Sequence, residues 1–565
     1  MNVVPENAVS RVRSAFARLV EVDRPDVWIH LRSEADVLAD AAAVDEKVAA
    51  GAHLPLAGLL LAVKDNIDVA GLPTTAACPA YAYLPDAGAH AVDALKSAGA
   101  IVLGKTNLDQ FATGLVGTRS PYGVVADGSR PELVAGGSSS GSALAVALGI
   151  ADIGLATDTA GSGRVPAAFQ GLLGIKPTRG LVSVRGVVPA CAGLDCVSLL
   201  VDDLEVGARA LAVMEGVDEL DPFSRAAPPD RPLGAREQLR IGFVEPADLG
   251  ALSPEYRTAY AAALADMSVR GLELVPVDIE PLLDASELLY DGAFVALRYA
   301  AVGSFIDEHG PDVDPTVGAL ISRAKDVPAS SLARDQATLA ELARRSARIF
   351  EAVDVVALPT TVRQPSIAEV AADPIGVNAE LGTYAHFCNL LDLAAIAIPA
   401  GDTPHGRFGI TLFAAAFHDR VLLDVAARVL GQPPAEPDDP GGIALAVFGA
   451  HLRGQPLNGQ LVGGRFVRSI TTAAAYELFA LPTEPPKPGL LRVEEQGHRI
   501  AGELWSVPPT TVAAILTQLP TPLTLGQVGL DDGSVAVGFL VENAAVAEAK
   551  NITEYGGWLA FLAAQ

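Results

Sequence analysis

The chain of 565 residues carries only four cysteines, Cys78, Cys191, Cys196 and Cys388. That is too few for a disulfide scaffold. Cys191 and Cys196 also lack the Cys-x-x-Cys spacing and nearby histidine of a zinc site, so free thiols and no metal are expected. Positive charge is scarce. Lys and Arg number 40 against 67 Asp and Glu, a net charge of −27, which argues against nucleic acid as a partner because that surface is bound through basic patches. The same field opposes an anionic ligand unless positive groups are placed locally. No uninterrupted apolar run reaches the ~18 residues of a membrane span. The opening MNVVPENAVSRVRSAF has no apolar core of a secretory signal, so a cytoplasmic protein without membrane contact is expected.

Half the residues are hydrophobic and 19% are charged, which is globular composition at a length too great for one core. The most informative stretch is Gly136 to Pro166, GGSSSGSALAVALGIADIGLATDTAGSGRVP. It holds two Gly-rich, serine-bearing turns joined by a small-residue helix, SALAVALG, and a short buried strand, ADIGLAT. A turn, a helix and a returning strand bring both ends back to one sheet edge, so Ser138 and Ser162 can meet. No Gly-Lys-Ser/Thr follows at phosphate-loop spacing and no GxGxxG opens a helix. A Gly/Ser linker is excluded by the apolar run between the turns. A serine nucleophile needs a base, and no histidine lies near either turn. Upstream, in LLLAVKDNID, Lys64 ends an apolar strand, where desolvation lowers an amine's pKa and lets it take a proton. The competing reading is that Lys64 pairs with Asp65 or Asp68.

AVKDNI, GGSSSGSA and TDTAGSGRVPAAFQGLLGIKPTRG, in that order, resemble the amidase signature family over roughly residues 1–430. The resemblance implies a Ser–cis-Ser–Lys triad: Ser162 as nucleophile, Ser138 as the bridging serine after a cis peptide bond, and Lys64 as base. It also implies an oxyanion hole from the N–H groups of Thr159, Ala160 and Gly161, where many members have Ile-Gly-Gly, and a loop at 104–123 that lines the site. No cofactor is implied.

Alternating apolar strands and helices predict an α/β fold, a central mixed β-sheet covered by helices, over residues 1–431. Helices are expected over 7–20, 34–50, 254–269, 281–305, 329–352 and 419–430, and a polar surface excursion over 217–239. QPPAEPDDPGG, 432–442, reads as a linker. Residues 443–565 then form a smaller, mostly β (α+β) second domain.

The stretch 284–300, ASELLYDGAFVALRYAA, reads as a helix with Tyr290 and Arg298 about two turns apart on one mostly apolar face. An arginine there needs an acidic partner, either a substrate carboxylate or a structural acid. TDTAGSGRVPA, and FGAHLRGQPLNGQL with ITEYGGW near the end, resemble the allophanate hydrolases within the amidase signature family. That resemblance implies Tyr290 and Arg298 as carboxylate ligands, hydrolysis of allophanate in urea or s-triazine nitrogen catabolism, and a homodimer. It also implies a γ-glutamyl cyclotransferase-like C-terminal domain whose ligand loop falls on Phe448–Leu452, with His451 as either a decarboxylation residue or a structural one. The alternatives are another small-carboxylate amidase (malonamate-like), the amidase subunit of a tRNA-dependent amidotransferase, and a non-catalytic binding protein on the same fold.

Overall fold

The computed structural model describes residues 7–434, 441–483, 486–547 and 549–565. The chain divides into two units: residues 1–226 with 238–435, and residues 227–237 with 436–565. Part of the proline-rich excursion, 227–237, therefore goes with the second unit rather than standing alone on the surface of the first. Of the expected linker, residues 435–440 lie outside the described residues.

The first unit is built on an 11-stranded mixed sheet. In chain order its strands are β1 (Trp28–Leu31), β2 (Leu60–Lys64), β3 (Ile101–Thr106), β4 (Ile153–Asp158), β5 (Leu173–Lys176), β6 (Cys196–Val201), β7 (Arg240–Phe243), β8 (Glu273–Pro276), β9 (Val355–Pro359), β10 (Ala394–Thr403) and β11 (Gly406–Ala414). They lie side by side as β1-β3-β2-β4-β6-β5-β10-β11-β9-β7-β8. The expected α/β fold with a mixed sheet is the one observed. β2, β3 and β4 are buried along their whole length, which accounts for their near-continuous apolar sequences. β2 runs parallel to both β3 and β4, so the carboxyl ends of β2 and β4 share one edge, where open α/β sheets place their ligands.

The small-residue segment forms the helix Ser140–Ala147, buried from Ser140 to Val146. Its composition follows from its seat on the sheet. A side chain at Gly154 of β4 would stand 2.7 Å from the Ser142 carbonyl, so only glycine lets helix and strand approach this closely. Helices occupy Pro254–Val269, Ala329–Ala352 and Asp419–Leu430. The passage at 24–32 contains the edge strand β1.

The helix expected across 284–300 is two helices. Glu280–Tyr290 stops at Asp291, and Ala293–Val295 makes a 3₁₀ turn before Ala296–His309 begins. A side chain at Gly292 would stand 2.6 Å from the Leu288 carbonyl, and the Asp335 carboxylate takes the Ala293 N–H at 2.6 Å. Asp-Gly is a turn signal, and here it overrides the helical spacing on either side.

The second unit has a five-stranded sheet and a three-stranded sheet. Their strands are β12 (Ile443–Val447), β13 (Arg465–Thr471), β14 (Tyr476–Leu481), β15 (Lys487–Arg492), β16 (Ala501–Val507), β17 (Leu523–Gly529), β18 (Val535–Val541) and β19 (Lys550–Asn551). The orders are β13-β16-β12-β18-β17 and β15-β14-β19, and one helix, Pro509–Gln518, lies between β16 and β17 in the chain. Among the described residues no helix is long and apolar enough to cross a membrane.

Candidate active site

Lys64 is the last residue of β2 and is fully buried. Its Nζ lies 2.8 Å from Ser138 Oγ, 2.8 Å from Thr157 Oγ1 and 3.4 Å from the Thr157 carbonyl. It does not pair with Asp65, which sits on Lys105 at 2.9 Å. Burial pulls the Lys64 ammonium down to about 7, against the opposing pull of Asp109, Asp158 and Asp195. In its neutral form the amine has two hydrogens for Thr157 and a lone pair that can accept from the Ser138 hydroxyl.

The two serine turns meet. The Gly137–Ser138 peptide bond is cis, and the Ser139 N–H donates to the Ser162 carbonyl at 3.3 Å. Ser162 is 3% exposed, on the turn between β4 and the helix Arg164–Gln170. Asp109, within the 104–123 stretch, supports the cis turn from behind. Its N–H donates to the Ser138 carbonyl at 3.1 Å, and its carboxylate accepts the N–H groups of Val116, Gly117 and Arg119 at 3.0–3.2 Å.

The turn carrying Ser162 is organised by Asp158, a residue the sequence reading passed over. Its carboxylate accepts the N–H groups of Gly161, Gly163 and Arg164 at 2.8, 3.1 and 3.2 Å. It also takes the Arg164 guanidinium two-handed at 2.9 and 3.0 Å, both side chains being wholly buried. Burial alone would raise the Asp158 pKa, but Arg164, Lys176 and the Gly161 N–H outweigh it and hold the carboxyl at about 2. Gly161 is at φ +117°, and a side chain there would strike Ala385 at 2.8 Å. Of the three expected oxyanion donors, the Gly161 N–H donates to Asp158. The N–H groups of Thr159, Ala160 and Ser162 carry no hydrogen bond among the described residues. The Thr159 hydroxyl donates to Asp195, which fixes the first residue of the turn.

Tyr290 and Arg298 come together across the helix break. Arg298 Nη2 donates to Tyr290 Oη at 2.7 Å and Nη1 donates to Thr113 Oγ1 at 3.0 Å. Arg298 is 2% exposed, and its Nε is buried without a partner. Among the described residues it makes no salt bridge. Burial works against its charge, yet Tyr290, Cys191 and Asp195 keep its pKa above the ordinary arginine value. One apolar cluster contains Ala160, Leu289 and Phe294, with Tyr290 and Leu297 packed against it, so the broken helix presses on the Ser162 turn. A buried guanidinium with no carboxylate of its own is an anion site.

In the second unit, His451 follows β12 and lines a cavity of about 120 Å³ with Phe448, Gln460, Lys487 and Phe539. Its ring stacks on Phe539 at 4.5 Å, and Nε2 is 3.0 Å from Gln460 Oε1. Burial lowers its pKa, Gln460 opposes that, and Lys487 adds to the lowering, so His451 is neutral at pH 7.

Residues 11–423 match the model of the amidase family, and residues 443–563 match that of the allophanate hydrolase C-terminal domain. The urea amidolyase of Lachancea kluyveri is 40% identical over 99% of this chain and 32% of its own length. That of Saccharomyces cerevisiae is 42% identical over 90% of this chain and 30% of its own. The chain thus spans about a third of these relatives. The solved structure of Kluyveromyces lactis allophanate hydrolase superposes with a TM-score of 0.89 at 37% identity, covering 99% of this chain and 97% of that one. With an active-site sheet edge of this composition and a family match over most of its length, the chain belongs to the amidase family, in the group that carries the allophanate hydrolase C-terminal domain.

Proposed function

We propose that the protein is an amidohydrolase that cleaves the terminal amide of allophanate, urea-1-carboxylate. The observation that carries this reading is Arg298: buried, bonded to Tyr290 and without an acid of its own, while Tyr290 and Leu297 pack on the apolar cluster that includes Ala160 of the turn presenting Ser162. The names of the similar proteins point the same way. Arg298 and Tyr290 hold the substrate carboxylate and so present the carbamoyl carbon to Ser162 Oγ. Ser162 attacks as its proton passes to Ser138 and the Ser138 proton passes to Lys64. The Thr159 and Ala160 N–H groups receive the oxyanion; losing one such donor costs roughly 3–4 kcal/mol of transition-state stabilisation. The same relay returns a proton to the departing ammonia. Water then resolves the acyl-enzyme, leaving N-carboxycarbamate.

The second unit acts on that product in this reading. The cavity places neutral His451 beside Lys487, a cation suited to a carboxylate, and decarboxylation of N-carboxycarbamate is the reaction assigned to it. The resemblance also carries a homodimer in the cytoplasm, for which light scattering of the purified protein is the check.

Ammonia release from allophanate, biuret, malonamate and urea, by wild type and Ser162→Ala, tests the main proposal. Turnover of allophanate alone, abolished in the variant, supports it. Turnover of another amide with little on allophanate overturns the carboxylate assignment.

A further inference from the structure

Thr113 takes no part in the chemistry above, yet its hydroxyl meets Arg298. It is 1% exposed and closes the 3₁₀ turn Gln110–Ala112 in the stretch 104–123. Its polar atoms are committed. The N–H donates to the Gln110 carbonyl at 3.0 Å, the carbonyl accepts Arg119 Nη1 at 2.9 Å, and the hydroxyl donates to the Phe111 carbonyl at 3.2 Å. A hydroxyl has one hydrogen, so what Oγ1 offers to Arg298 Nη1, 3.0 Å away, is a lone pair. The two residues before it, Phe111 and Ala112, stand in the left-handed region at φ +51° and +53°. Residues other than glycine hold that conformation where their surroundings impose it, so the turn that delivers this hydroxyl is held against its local preference.

Arg298 is thereby pinned at both ends of its guanidinium, by Thr113 on Nη1 and by Tyr290 on Nη2. Each terminal nitrogen carries two hydrogens, so each keeps one that no described residue takes. Two such N–H groups on one guanidinium are what a carboxylate accepts two-handed. The two pinning hydroxyls differ in what they have left. Tyr290 donates its hydrogen to no described residue and is free to give it to a ligand, whereas Thr113 has given its own to Phe111.

The same stretch is tied to the catalytic side. The Asp109 N–H donates to the Ser138 carbonyl at 3.1 Å, and the Asp109 carboxylate accepts the N–H of Arg119 at 3.0 Å, the residue whose guanidinium holds the Thr113 carbonyl.

We propose that Thr113 is a positioning residue for recognition of the substrate carboxylate. It sets the direction of the Arg298 guanidinium in the empty site, so that the arginine need not be ordered when the carboxylate arrives.

The proposal rests on the reading of a carboxylated substrate, so the probe is malonate, a carboxylate without a scissile amide, as competitive inhibitor, with allophanate kinetics in parallel. Thr113→Val keeps the shape and removes the hydroxyl. It is expected to raise the malonate inhibition constant and the allophanate KM roughly 10- to 100-fold, the size of a hydrogen bond to a charged group, with kcat changed far less. Labelling of Ser162 by a neutral sulfonyl fluoride needs no carboxylate and should keep its rate within a few-fold. Thr113→Ser retains the hydroxyl and should bind malonate within a few-fold of wild type. Malonate affinity that falls in Arg298→Gln but not in a folded Thr113→Val overturns the positioning role alone. Equal malonate affinity in wild type and Arg298→Gln overturns the carboxylate reading with it. A fall in Ser162 labelling that matches the loss of malonate affinity assigns Thr113 to the fold of the loop and overturns the proposal as well. Should Thr113→Val not fold, Thr113→Ala takes its place, and equal malonate binding by the Ala and Ser variants overturns the proposal.

Discussion

Arg298 bonds the hydroxyl of Tyr290 at 2.7 Å even though the chain between them leaves the helix at Asp291 and Gly292. The pair is therefore not two rungs of one helix. It is a corner, with the tyrosine at the end of one helix and the arginine in the first turn of the next, and the 3₁₀ turn between them packs on Ala160.

Substitution at this corner should separate binding from chemistry. Arg298→Gln is expected to lower kcat/KM for allophanate by at least 10²-fold, or about 3 kcal/mol, since a charge-assisted pair is lost in a buried site. Steady-state kinetics on allophanate and on a neutral amide check this. Equal losses on both would mean that Arg298 supports the fold rather than the carboxylate.

The Lys64 amine, lowered to about 7, predicts the pH profile. Only the neutral form accepts the proton. Activity should therefore rise with pH through about 7 and level off above it. Lys64→Ala should lose roughly 10²–10⁴-fold in kcat and, with it, that limb of the kcat/KM profile.

Asp158→Asn leaves Arg164 buried and unpaired and weakens the anchoring of three turn N–H groups. A loss of about 3–5 kcal/mol in unfolding free energy is expected, read as a lowered urea midpoint at unchanged slope. The paired change Asp158→Asn with Arg164→Met should recover part of it, and an additive loss in the double variant would contradict the pairing argument.

For the second unit, His451→Phe should keep ammonia release from the terminal amide near wild type while N-carboxycarbamate accumulates, followed by carbon-13 NMR with labelled allophanate. An unchanged rate of carbon dioxide formation would remove His451 from the chemistry.

Much of the fold was legible because it is written locally. The helices at 254–269, 329–352 and 419–430 carry their own apolar periodicity, and β2 and β4 their own apolar runs. β5, β6 and β11 were not anticipated. β5 is four residues, LGIK, and owes its identity as a strand partly to β10, distant in the chain; β11, GRFGITLFA, follows β10 after a short turn and pairs with it as a hairpin. The helix break was written in Asp291-Gly292, but the eight-residue spacing of Tyr290 and Arg298 concealed it. Asp158 and Arg164 lay six apart inside a stretch already singled out, and an acid and an arginine flanking a Gly-rich turn are themselves a signal of an internal ion pair. His386 had no such mark: Tyr290, whose ring centroid lies 5.0 Å from its own, approaches it only in three dimensions.

The Asp158 carboxylate ties the Ser162 turn to interior charge rather than to a surface loop. Such a turn has little freedom to melt ahead of the sheet edge that bears it. Heating should therefore abolish reaction of Ser162 with an active-serine reagent at the temperature where the first unit loses its near-ultraviolet dichroism, with no earlier inactive but folded phase. Robustness gained elsewhere in that unit, by a better surface or a shorter loop, should carry over in full to working lifetime.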